Sequence, residues 1–326
     1  LFNSWSYFLF LIVFVSIFWL IPKKLRVWLV GFASFTFYGF WRVDFAMLIV
    51  FSATIDFLCA NRIYLSKSLN QKKLWLSFSL FINIGLLIFF KYTFFIVDNI
   101  SFIFNNHFRI PFDIILPLGI SFYTFQTISY SIDVYRNIIK PINSFIVFFA
   151  YVSFWPQLIA GPILRVTEVV PQFLKYKKFR LGYLNQGLYL VIIGLFKKVV
   201  IADNIAASVD KIFLIDYTIL NAFEVWTGAF LFGFQIYFDF SGYSVIAIGS
   251  AKLLGIQFPD NFKWPYLSIS PKEFWSKWHI SLSSWIRDYL YLPLTRQKFQ
   301  SKSVGGINPI KNLDGNIFNK NFALFT

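Results

Sequence analysis

Across 326 residues the chain carries one cysteine, Cys59, one methionine and two histidines, His107 and His279. A single thiol excludes an intrachain disulfide framework and any thiolate metal cluster. Two histidines cannot supply a histidine-rich metal site, so neither a protein-bound metal nor a resident cofactor is expected. Charge is also sparse, at 14% of residues, yet lopsided: 30 Lys and Arg stand against 15 Asp and Glu, a formal net charge of +15. Nucleic acid is not the expected partner, because the basic residues are scattered through short loops between apolar runs instead of forming one stripe on a soluble fold. Anionic lipid headgroups suit that distribution. There is no G-x-S-x-G elbow, Walker loop, H-E-x-x-H or dinucleotide glycine fingerprint.

What the chain has in abundance is apolar surface: 57% hydrophobic residues, 45 Phe and 11 Trp exceed what a soluble domain carries. It reads as an all-α polytopic membrane protein in a single domain over residues 1–326. Crossing a bilayer core takes roughly 17–25 apolar residues, and by that length criterion about eight or nine crossings are expected. The candidates are residues 4–21, 25–40, 45–60, 74–90, 114–132, 145–160, 181–202 and 222–240, with a weaker one at 243–258. The first lacks a basic n-region and a small-residue cleavage site, and reads as a retained anchor instead of a signal peptide.

Lys23, Lys24 and Arg26 follow the first span, and Arg62, Lys67, Lys72 and Lys73 the third, which places both loops in the cytoplasm. Continuing the count puts Arg165, Lys175, Lys177, Lys178 and Arg180 outside, against the positive-inside rule, unless one segment folds back without crossing. Residues 145–160 are the best candidate for such a re-entrant element, being short and ending in Trp155, Pro156, Gly161 and Pro162.

Polar residues inside spans are costly and face the bundle interior. Gln235, Asp239 and Gly242 fall on one helical face, with Tyr237 and Ser241 close by, and Gln126, Ser129 and Asp133 do the same elsewhere. Two readings stand side by side: hydrogen bonds that tie helices together, or the lining of a polar tunnel.

The richest stretch is 258–294, which sets His279 among tryptophans. Ser270, Pro271 and Glu273 form a capping box with proline at the first helical position, and Pro293 closes the helix that should begin there. On that continuous helix Trp275, His279, Leu282, Ile286 and Tyr289 share a face, with Phe274, Trp278, Ser281 and Trp285 on the next. His279, Ser283 and Arg287 make a polar seam able to face a water-filled funnel, and Asp288 has Arg287 or Lys277 as a possible ion partner. His279 is either a structural histidine bonded to a carbonyl or a base. As a neutral imidazole it suits taking a proton from a hydroxyl. With no nucleophile beside it, direct transfer of an activated acyl group to that hydroxyl fits the inventory.

Five blocks carry a resemblance through essentially the whole chain: PLGISFYTFQTISYSIDVYR (117–136), AGPILR (160–165), DFSGYS (239–244), GIQFPDNFKWPY (255–266) and EFWSKWHISLSSWIRDYLYLPL (273–294). They resemble the membrane-bound O-acyltransferase family. Within it they are most similar to the bacterial alginate O-acetyltransferase membrane subunits, and more distantly to the D-alanyl transfer proteins of teichoic acid. The resemblance implies a ring of transmembrane helices, with re-entrant or half-buried helices, around a central tunnel in the bacterial cytoplasmic membrane. It implies an acyl donor from the cytoplasm, acetyl-CoA or an acyl-carrier thioester, and an acceptor hydroxyl on a cell-envelope polysaccharide. It also implies a periplasmic hydrolase-like partner that completes the modification.

Of the family's two functional histidines, His279 in WHIS matches the first. The second, which the resemblance makes the catalytic base with His279 lining the tunnel or assisting it, belongs to a W-H-G motif in the following span, where these residues stop, so the chain reads as incomplete at its C-terminus. His107, in NNHFR, has no matching context. Tyr237, Asp239, Ser241, Asn261, Trp278, Ser283, Arg287 and Asp288 are carried over as tunnel or supporting residues. Residues 305–319 read as a polar, turn-rich loop. A polysaccharide or small-molecule transporter, and an inactive remnant, are the alternative functions.

Overall fold

In α4 (Leu69–Leu87) the pattern of a soluble helix is reversed: its buried side chains are Ser79 and Asn83, while Leu74 is 66% and Phe81 73% exposed. Apolar groups outside and polar groups inside require a hydrocarbon solvent. The computed structural model describes residues 2–106, 108, 110–158, 160–215 and 219–295; His107, the 305–319 loop and the end of the chain lie outside them. Every regular element among the described residues is helical.

Three helices are long and apolar enough to cross a membrane: α3 (Val43–Leu65), α4 continued through a π turn into α5 (Thr93–Ile103), and α12 (Ala222–Leu253). The sequence length criterion gave more. Helices α1 (Trp5–Leu20), α2 (Arg26–Gly39), α6 (Ile120–Tyr135) and α10 (Leu181–Leu195) are 14–16 residues each. At about 1.5 Å per residue they rise roughly 21–24 Å, short of a hydrocarbon core of about 30 Å. Helix α10 is prolonged by a π segment, Phe196–Ala202, and α11 (Asp203–Phe213).

One division was misplaced. The run at 222–240 and the 243–253 part of the second run form a single 32-residue helix, α12, started by a reciprocal box in which Asn221 Oδ1 accepts from Glu224 N and Glu224 Oε2 accepts from Asn221 N. Gly242 does not interrupt it. A Cβ there would lie 2.9 Å from the Gly194 carbonyl oxygen of α10, and one on Gly194 would lie 2.7 Å from the Gly242 oxygen, so the glycines allow two backbones to meet.

Helices α3, α4 and α6 are tied by a buried polar cluster. Asp56 accepts from Ser79 Oγ at 2.5 Å, from Asn83 Nδ2 at 2.8 and 3.0 Å and from Ser131 Oγ at 3.2 Å. Asn83 Oδ1 in turn accepts from Thr127 at 3.0 Å and Ser52 at 3.2 Å. Helix α6 begins after Gly119, whose φ of 72° is the left-handed turn that glycine adopts without strain.

Residues 147–158 form a continuously buried stretch. Helix α7 (Phe145–Ser153) has nine residues, breaks at Phe154 and resumes for one turn as α8 (Trp155–Leu158), and everything from Val147 to Leu158 is buried. After α9 (Val166–Leu174), the following loop meets the loop after α1: Arg26 Nη1 donates to the Lys177 carbonyl at 2.8 Å, and Lys23 lies 4.7 Å from the Tyr176 ring centre.

Candidate active site

The 258–294 stretch does not form the single helix that its cap and proline predict. Ser270 does cap α13 (Pro271–Lys277), its Oγ accepting from Glu273 N at 3.2 Å. The Glu273 carboxylate, however, accepts from Ile269 N and pairs with Lys277 at 2.6 Å, so Lys277 is not a partner of Asp288. Helix α13 ends at Trp278, and α14 (Ile280–Ile286) starts afresh with His279 in the cap position at φ 40°, ψ 56°. A non-glycine residue in that region is uncommon and needs a surrounding structure that holds it.

Two main-chain bonds do so, from Ile280 N to the Asn261 carbonyl at 2.9 Å and from Lys263 N to the Lys277 carbonyl at 3.0 Å. The faces drawn on a continuous helix are therefore separated: Trp275 and His279 no longer share one. A π segment, Arg287–Tyr291, and a last turn, α15 (Leu292–Leu294), carry the chain on to Thr295.

His279 is 8% exposed. Phe240 meets its ring edge-on, centroids 4.7 Å apart, and Phe262 and Phe122 lie at 6.3 and 6.5 Å. Burial pushes its pKa down to about 4, so the imidazole is neutral at pH 7. Its Nδ1 is 3.2 Å from Asn261 Oδ1 and 3.4 Å from Ser281 Oγ.

Asn261, 1% exposed, is the hub of the site. Its Oδ1 also accepts from Ser281 N at 3.2 Å and Ser281 Oγ at 2.9 Å, and its Nδ2 donates to Ser244 Oγ at 3.2 Å. Ser244 Oγ donates to the Ala160 carbonyl at 2.9 Å, and Ile163 N donates to Ser281 Oγ at 2.9 Å. Four sequence blocks separated by up to about 120 residues, those around Ala160, Ser244, Asn261 and His279, thus close into one network.

The fifth block joins below it. Trp285 Nε1 donates to the Phe125 carbonyl at 2.9 Å, and Tyr289 OH donates to Asp133 Oδ2 at 2.9 Å. Asp288, 1% exposed, accepts from Arg287 Nε at 2.7 Å and pairs with Arg165. Arg136 Nη1 reaches the Asp288 carbonyl.

The remaining candidates sit around this core. Tyr237 and Trp278 stand in an aromatic cluster with Phe262 and Tyr266, with centroids 5.2–6.3 Å apart. Ser283 Oγ donates to the Trp278 carbonyl at 3.1 Å, bracing the break. Ser241 is buried, and its Oγ has no hydrogen-bond partner among the described residues. Asp239 lies two residues before it on α12, where Lys198 Nζ stands 2.5 Å from Asp239 and 2.7 Å from Asp203.

Ser244, Ser281, Arg165 and Lys198 were not singled out from the sequence as site residues. Lys198 had a usable signal, being a lysine inside an apolar run. The two serines had none, because nothing local marks which hydroxyl meets an asparagine 17 or 20 residues away. No group of three or more metal-ligating side chains occurs among the described residues.

The profile of the MBOAT, membrane-bound O-acyltransferase family matches residues 135–306, more than half of the chain and every residue of the His279 network. The chain belongs to this family. It is 40% identical over 291 residues to "Probable alginate O-acetylase AlgI" of Pseudomonas aeruginosa, covering 88% of this chain and 55% of that protein. It is 40% identical over 300 residues to "Peptidoglycan O-acetyltransferase" of Helicobacter pylori, covering 84% and 56%. It is 29% identical over 190 residues to "Teichoic acid D-alanyltransferase" of Bacillus subtilis, covering 56% and 46%. The chain spans about half the length of the curated relatives it matches.

Proposed function

We propose that this membrane protein transfers an acyl group, acetyl in the first instance, from a cytoplasmic thioester to a hydroxyl of a cell-envelope polysaccharide or of a periplasmic partner that finishes the modification. The observation that carries the reading is His279, a neutral imidazole buried where four separate blocks of the family-matched sequence converge. The relatives named above act, by their names, on alginate, peptidoglycan and teichoic acid, all envelope polymers, which supports an acceptor of that class.

In the proposed step, the imidazole takes the proton of the acceptor hydroxyl as its oxygen attacks the thioester carbonyl. The tetrahedral species collapses with loss of the thiolate, which takes up that proton, so ester and thiol replace hydroxyl and thioester. Acetyl-CoA or an acyl-carrier thioester is the donor, with no bound cofactor needed.

The proposed setting is the bacterial cytoplasmic membrane, with helices arranged around a central passage. The contact of Arg26 with Lys177 supports a reading in which those two basic loops share one face. This arrangement takes the short α2 and α6 as crossing a locally thinned bilayer, so that with α3 and α4–α5 four passes separate the loops, and α7 with α8 dips in and returns without crossing. Taken this way, Lys175 to Arg180 join the other basic loops in the cytoplasm, in keeping with the positive-inside rule, while Arg165 is taken up in the buried pair with Asp288.

Membranes carrying the protein, given radiolabelled acetyl-CoA and acceptor polymer, test the reading. Labelled polymer should form, and His279→Ala should reduce its rate by about 100-fold or more, the usual contribution of a general base. Equal labelling by His279→Ala overturns the assignment. Movement of unmodified polymer instead would favour a transporter, and neither activity an inactive scaffold.

A further inference from the structure

His279 has two ring nitrogens, and which of them carries the proton decides what the residue can do. We propose that Asn261 is a positioning residue that holds neutral His279 as its Nδ1–H tautomer, through a relay anchored on the Ala160 carbonyl and the Ser281 main-chain N–H. This rests on the acyl-transfer reading only for its consequence, since the tautomer itself is a property of the resting protein.

Main-chain groups at both ends leave the relay one self-consistent direction. A carbonyl can only accept, so the Ser244 hydroxyl donates to Ala160 and offers its lone pair to Asn261 Nδ2. The amide is thereby oriented with Oδ1 toward Ser281 N and Ser281 Oγ, both of which donate to it. That same oxygen stands 3.2 Å from His279 Nδ1. With a bare Nδ1, two lone pairs would face each other there, and Ser281 Oγ, at 3.4 Å, is engaged more closely by Asn261 at 2.9 Å. Rotating the amide would set Nδ2 against the Ser281 N–H, donor to donor, and would pull the Ser244 hydroxyl from Ala160. Only an Nδ1–H satisfies every partner.

The lone pair then lies on Nε2, which no described residue engages. The left-handed backbone at His279 belongs to the same device: the Ile280 N–H to Asn261 carbonyl bond and the Lys263 to Lys277 bond fold the chain back so that Nδ1, one bond nearer the backbone than Nε2, meets the asparagine. Nε2 is left as the proton acceptor, with Nδ1–H held by an uncharged oxygen. An amide is suited to that task because it donates at one end and accepts at the other, which a carboxylate cannot do.

Of the two histidines in these 326 residues, His107→Gln removes one, and the remaining ring signal that His279→Gln abolishes is the reporter. In lipid bilayers at pH 7, the 15N spectrum of histidine-labelled protein should show His279 protonated at Nδ1 and unprotonated at Nε2. Asn261→Asp, which still accepts from the ring, should keep Nδ1 protonated. Asn261→Leu should move the proton to Nε2 and slow acyl transfer at least tenfold. A native spectrum with the proton on Nε2 overturns the proposal whatever the variants do, as does an unchanged tautomer in folded Asn261→Leu. If the native tautomer is as stated but no acyl transfer occurs, the functional reading fails and this one stands.

Discussion

Asp56 offers the sharpest test of what holds the helices together in lipid. Replacing it with alanine removes the acceptor shared by Ser79, Asn83 and Ser131, leaving Asn83 Nδ2 only its local bond to the Ser79 carbonyl while Asn83 Oδ1 still accepts from Thr127 and Ser52. Interhelical hydrogen bonds in membranes are worth about 0.6–2 kcal/mol each, so three donor side chains losing one acceptor should cost about 2–5 kcal/mol. Cys59, the lone cysteine, lies one turn along the same helix and is 2% exposed, which makes it a reporter of opening. Where opening and closing are fast, its maleimide labelling tracks the open population. At about 1.4 kcal/mol per tenfold, Asp56→Ala should accelerate labelling by about 30-fold to several thousand-fold. Asn83→Ala should be strongly non-additive with it, since both substitutions break the same bonds. Labelling within twofold of wild type, or simple additivity of the two changes, would refute the view that this cluster fastens α3, α4 and α6.

Three further outcomes concern the site, the α10–α12 contact and an uncrowded glycine of α4. Because burial lowers His279 from its ordinary 6.5 to about 4, the unfolded chain takes up a proton that the folded one refuses. The associated stability is fully present above about pH 6.5 and is lost as pH falls toward 4; it amounts to at most about 3 kcal/mol. Unfolding midpoints measured across that window should fall for the wild type and run flatter for His279→Gln. At the helix contact, Gly194→Val would force a side chain into the Gly242 carbonyl and Ile246, costing about 1–3 kcal/mol as overpacking does. Gly85→Ala, with nothing within 4 Å of its added carbon, should instead leave stability unchanged or raise it by up to about 1 kcal/mol in the same unfolding assay.

The comparison of sequence with structure is most instructive at the breaks. The cap at Ser270 was legible because it needs only four consecutive residues, and it forms as expected. The break nine residues later was not legible: nothing in KWHIS forbids a helix, and the chain turns there because Asn261 and Lys263, far back along the chain, supply competing backbone partners. The reverse error occurred in α12, where one helix was divided into runs at 222–240 and 243–258. Gly242, at that division, is instead a point of close approach to α10, a fact that depends on Gly194 across the interface.

Composition alone decided the solvent, since a chain with so many exposed Phe and Leu has no stable arrangement in water, and periodicity of the polar positions marked the faces that turn inward. The motif blocks carried the family. What tertiary structure decided was pairing: that Asp288 meets Arg165, 123 positions away, beside neighbouring Arg287, and that Asp239 meets Lys198. It also decided that Ser244, Asn261 and Ser281 converge on one imidazole. Hydrogen bonds act over about 3 Å and have no sequence period of their own. Partners across helices are selected by packing geometry, which exists only once the chain has folded.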